Sequence, residues 1–67
     1  MVDEKDVYRT AQLLVTQHGA DAPIHAAMRH DAQLERGDLD GAAVWKRVLA
    51  AVDRLLVTER ADDAPLH

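Results

Sequence analysis

Four histidines, twelve acids and no cysteine define the chemistry open to this chain. Two imidazoles on one helix can share a metal ion only at spacings of three or four, which bring both rings to one face. His25 and His30 are five apart, about 140° out of phase at ~3.6 residues per turn. His18 can meet His25 only across a turn, with Asp21 as a third donor, and His67 lies far from all of them in sequence. Without cysteine, disulfides, thiolate metal sites and thiol redox chemistry are excluded. Serine is absent, and Thr10, Thr16 and Thr58 have no base spaced to activate them. Gly19, Gly37 and Gly41 are single turn glycines and do not form a phosphate loop. Asp31 falls between Met28 and Leu34, on a side of its segment that is otherwise apolar. Buried there, it would need a partner such as Arg9, Arg29, Arg47 or Arg54; a small rotation of the helix would leave it at the rim instead. No second carboxylate or nucleophile is placed to work with it. The sequence therefore assigns no catalytic, metal-binding or cofactor-binding residue, and the expected class is non-enzymatic.

The elements that carry these residues are all helical. Val7, Ala11, Leu14 and His18 form one stripe of a first helix over about 4–18, with Tyr8 and Val15 on its shoulder. Asp3 is placed to cap it, Val2 and Val7 can staple that cap, and Gly19 is placed to end it. A second helix over about 22–36 follows, with Asp21 as its expected cap, Pro23 in its first turn and Gly37 at its end. Its apolar face reads as Ile24, Ala27, Met28 and Leu34, interrupted by Asp31. Asp38 is placed to cap a third helix over about 39–58. There Trp45, Val48, Val52 and Leu55 recur at steps of three and four, widened by Val44, Leu49 and Leu56. Both connections are short, so sequence neighbours must pack side by side. The expected fold is an all-α, small antiparallel three-helix domain with short glycine-containing turns, residues 1–58, followed by a flexible C-terminal tail at 59–67. The stretch Gly37 to Ala42, with Trp45 and Leu49 behind it, also resembles the turn of a tetratricopeptide unit, but no second copy occurs at that period.

Length and charge narrow the function classes. Sixty-seven residues make at most one small domain. The acidic first six residues lack the apolar core of a signal peptide, and no apolar run reaches the ~18 residues of a membrane span. A cytoplasmic protein is expected. The net charge of −4 argues against a dedicated nucleic-acid binder, although Lys46, Arg47 and Arg54 gather on helix three with Asp53 among them.

Asp6-Val7-Tyr8-Arg9, His18-Gly19-Ala20-Asp21-Ala22, Ala26-Ala27-Met28-Arg29 and Gly37-Asp38-Leu39-Asp40-Gly41 through Val44-Trp45-Lys46-Arg47 together give the chain a wider resemblance. It resembles a family of short, uncharacterised all-helical proteins of alphaproteobacteria, over about residues 4 to 57. The resemblance implies an intracellular bacterial protein and brings no active-site residues with it.

The third helix offers a broader apolar stripe than its two neighbours can cover. The expected function is that of a small protein–protein interaction module, acting on a protein partner or as a homodimer, with no small-molecule ligand implied. Leu13, Trp45, Leu49 and Leu56 are the candidate interaction face, with Leu49 and Leu56 expected to stay exposed in a monomer and Trp45 to be buried. The alternatives are a regulator acting near nucleic acid through Lys46, Arg47 and Arg54, and a metal-binding or enzymatic protein that brings His18, His25 or Asp31 together.

Overall fold

Capping chemistry sets where each helix begins and ends. A computed structural model describes the backbone of residues 3–63 and the side chains of residues 3–58. Helix α1 runs Glu4–His18, a 3₁₀ turn covers Gly19–Asp21, α2 runs Ala22–Glu35 and α3 runs Leu39–Asp63. All the regular structure among the described residues is helical. Asp3 caps α1 from an extended conformation, its Oδ1 accepting the Glu4 N–H at 2.8 Å. Val2, the other half of the expected staple, lies outside the described residues.

Gly19 ends α1 with φ 58° and ψ −127°, while its N–H donates to the Val15 carbonyl. This is the mirror image of extended backbone, open essentially to glycine alone. The chain therefore does not coil into the left-handed turn expected after a helix but flips directly into the 3₁₀ turn. One consequence corrects the expected role of Asp21. It sits in a helical conformation (φ −86°, ψ −3°) and makes no side-chain cap bond. A capping residue ordinarily has extended backbone and accepts from the second or third helical N–H; Asp21 is not extended, and the second residue here is Pro23, which has no N–H. The Ala22 N–H is satisfied instead by the Gly19 carbonyl.

The second joint is tighter. Gly37 takes φ 78°, its N–H donates to the Leu34 carbonyl at 3.0 Å, and the Asp38 N–H donates to the Gln33 carbonyl at 2.9 Å. These two bonds complete a Schellman ending for α2. Asp38 then opens α3, its Oδ1 accepting the Gly41 N–H at 2.9 Å and its carbonyl accepting the Ala42 N–H at 3.0 Å. One residue closes the second helix and starts the third.

α3 continues five residues past Thr58, where the sequence reading ends it, and reaches Asp63. Glu59, Arg60 and Ala61 are good helix formers, and no glycine or proline interrupts the chain before Pro65. The expected tail at 59–67 is thus helical through 63, and 64–67 lie outside the described residues.

Both shorter helices pack on α3 far more than on each other. The buried core is Val7, Ala11 and Val15 from α1, Ala22 and Ala26 from α2, and Val48 and Val52 from α3. It contains no side chain larger than valine. Leu14, Val44, Trp45, Leu49, Leu55 and Leu56 pack around it, each partly buried. α2 is rotated relative to the sequence reading: Ala22 and Ala26 face the core, while Ile24 and Met28 are 60% and 59% exposed. The broad α3 stripe already supplies the bulk, so the helix beside it fits best through its smallest face.

Candidate interaction surface

The two histidines expected to meet only across a turn do meet. The rings of His18 and His25 stack with centroids 3.6 Å apart and planes 16° from parallel. Stacking of this kind opposes shared metal binding. A ligated ion lies in the plane of its imidazole, ~2.0–2.1 Å from nitrogen, and parallel rings at this separation cannot both hold one ion in plane. Asp21 does not join them: no group of three histidine or acidic side chains converges on a common point among the described residues. Asp31, the residue most open to a buried role, has a side chain 76% exposed and only His30 Nδ1 nearby, at 3.5 Å. It lies on the outer side of α2, away from the core, as the alternative rotation requires. His67 is outside the described residues.

The candidate face of Leu13, Trp45, Leu49 and Leu56 does not form one exposed surface. Leu13 is 55% exposed and projects from the side of α1 remote from Val7, Ala11 and Val15. Trp45, Leu49 and Leu56 are partly buried and packed on the core. Trp45 is not enclosed as expected, and the Arg29 guanidinium lies 6.0 Å from its ring centroid, within cation–π range. Leu49 and Leu56 are less open than expected, because α1 and α2 both lie against α3 and together cover most of its half-cylinder of apolar residues.

The large apolar side chains that do face outward are elsewhere. Ile24, Met28 and Leu34 of α2 share its outer side with Asp31 and Glu35, making a stripe that is apolar and acidic. Sequence reasoning made Ile24, Ala27, Met28 and Leu34 the apolar face of this helix, and three of the four, Ile24, Met28 and Leu34, are exposed. The contrary signal was the alanine pair Ala22 and Ala26, four apart on the opposite side.

A second feature, not visible in the sequence, lies between α1 and α3. Val7, Ala50 and Ala51 floor a recess of about 230 Å³, with Tyr8 as one wall and Glu4, Arg47 and Arg54 around it. Past Tyr8, which is half exposed, the surface continues over Lys5, Arg9 and Gln12. Two of the eight lysines and arginines, Arg47 and Arg54, therefore border this groove, with one of the twelve acids, while Lys5 and Arg9 line only the adjoining surface of α1. That acid, Glu4, is ion-paired with Arg47. Lys46, expected to share a face with Arg47 and Arg54, does not border the groove. No helix among the described residues is long and apolar enough to cross a membrane. No protein-family model matches the sequence, and no curated protein or solved structure matches it either.

Proposed function

We propose that the chain is a small, non-catalytic protein–protein interaction module of the cytoplasm that associates with itself, its helices arranged up, down and up so that sequence neighbours are antiparallel. One observation carries this reading. The core is assembled from valine and alanine, whereas Ile24, Met28 and Leu34 stand outside it along one side of α2. A chain this small needs every apolar contact it can make. Large apolar side chains held outside a thin core are a contact surface in search of a partner. The absence of a convergent acid, base, nucleophile or ligand set among the described side chains supports binding over catalysis. Kinship with short helical alphaproteobacterial proteins belongs to the same proposal and rests on the sequence motifs alone. Sedimentation equilibrium from micromolar to millimolar concentration tests the reading. Association that is lost in Met28→Glu, while helicity is retained, is the expected result; a 7.4 kDa species across the whole range would overturn it.

A further inference from the structure

The geometry points to a head-to-tail contact, in which the outer side of α2 in one copy lies in the α1–α3 groove of the next. This rests on the self-association proposed above and names the two surfaces that make it. They are complementary in charge. The α2 stripe sets Asp31 and Glu35 among Ile24, Met28 and Leu34, and all five are exposed. The groove sets Arg54, and Arg47 paired with Glu4, around the half-exposed Tyr8 ring and the small side chains of Ala50 and Ala51, while Lys5 and Arg9 add positive charge on the adjoining surface of α1. An amphipathic helix seated in a shallow groove, its apolar residues on an aromatic and alanine floor and its acids against flanking cations, is a recurrent mode of recognition. A two-fold pairing of α2 with α2 would instead bring Asp31 and Glu35 of the two copies into one contact, where like charges oppose each other.

No residue of α2 borders the groove, so one copy can use both surfaces at once. A contact between two different surfaces does not stop at a dimer; it grows into rings or open chains.

Charge reversal provides the test. One variant, the groove variant, carries Arg54→Glu in the groove and Arg9→Glu on the surface beside it, and a second carries Asp31→Lys and Glu35→Lys on α2. All four positions are exposed, and circular dichroism checks that each variant remains helical. In sedimentation velocity at low salt, the wild type should exceed the dimer as concentration rises, and association should weaken as salt increases. Each variant alone should associate roughly tenfold or more weakly. Mixing the two variants, or combining all four reversals in one chain, should restore association, because opposite charges again face each other. Association that survives in the groove variant but is lost in Met28→Glu would overturn the head-to-tail contact and leave the interaction reading standing. A wild type that is monomeric throughout would overturn both. Binding of a short labelled DNA duplex by the wild type, lost in the groove variant, would assign the cations to phosphate and overturn the contact proposed here.

Discussion

Gly41 sits in the first turn of α3 and donates its N–H to the carboxylate of Asp38. A Cβ at Gly41 would lie 2.5 Å from Asp38 Oδ2 and 2.9 Å from its Cγ, too close for the cap to stay where it is. Two effects then oppose each other in Gly41→Ala. Replacing a helical glycine by alanine gains about 0.5–1 kcal/mol from reduced backbone entropy loss. Driving the carboxylate away forfeits a capping bond of about 1 kcal/mol. The clash is with the end of a short side chain that can rotate, so the backbone need not move. The single substitution should therefore leave stability nearly unchanged. Asp38→Ala should cost about 1 kcal/mol, an apparent melting shift of roughly 4–8 °C in a domain of this size. In that background nothing obstructs the methyl, and Gly41→Ala should now stabilise by its full 0.5–1 kcal/mol, roughly. The coupling between the two sites should be about 1 kcal/mol. Urea unfolding of all four proteins, followed by far-ultraviolet circular dichroism with unchanged m-values, measures it. Equal effects of Gly41→Ala in both backgrounds would refute the proposed clash with the cap.

Three further outcomes are expected. Gly37→Ala should destabilise by about 1 kcal/mol and Gly19→Ala by roughly 1–3 kcal/mol, since the mirror-extended angles at Gly19 are less open to alanine than the positive φ at Gly37; thermal unfolding ranks them, and the reverse order would contradict the backbone angles. Val52→Ala should cost roughly 2 kcal/mol through lost burial and a small cavity, while Met28→Ala should change the stability of the monomer by less than about 0.5 kcal/mol although it removes more atoms; dilute chemical denaturation compares the two. Equimolar zinc should leave the melting temperature of the dilute protein unchanged, because the stacked rings of His18 and His25 cannot share an ion, and a rise of several degrees would show that they reorient to do so.

The parts of the fold readable in the sequence are those governed by local chemistry. Gly37 and Asp38 are adjacent, and their preferences for positive φ and for capping are properties of single residues, so the second joint is legible without knowing what packs on it. In α1, Val7 and Ala11 face the core as the spacing has them, with no competing stripe across the helix, although Val15, read as a shoulder residue, is buried and Leu14 only partly so. The segment 22–35 has two candidate faces: a bulky one through Ile24 and Met28, and a small one through Ala22 and Ala26. Size favours the first when the helix is considered alone. The choice belongs to α3, whose wide stripe of valine, leucine and tryptophan needs a neighbour that approaches closely. The same limit hides the groove, since Tyr8 and Arg54 are far apart in the chain and nothing local relates them. Asp21 fails as a cap because the 3₁₀ turn holds it in a helical conformation; the missing N–H of Pro23, which removes one of the donors it could use, is the only part of that legible in the sequence.

A core of valine and alanine also shapes how the molecule responds to temperature. The heat capacity of unfolding follows the apolar surface exposed, and a typical ~12–15 cal/mol/K per residue assumes a richer interior than this one. A smaller value flattens the curve of stability against temperature, so that neither warming nor cooling changes the folded fraction sharply. The unfolding enthalpy is also limited, on the order of 40–45 kcal/mol for about sixty residues, which spreads the melting transition over tens of degrees. In such a molecule a modest binding free energy displaces the apparent midpoint much further than it would in a larger domain. Whatever covers Ile24, Met28 and Leu34 would then act as part of the fold, and occupancy of that surface would show in calorimetry as a sharper and later transition.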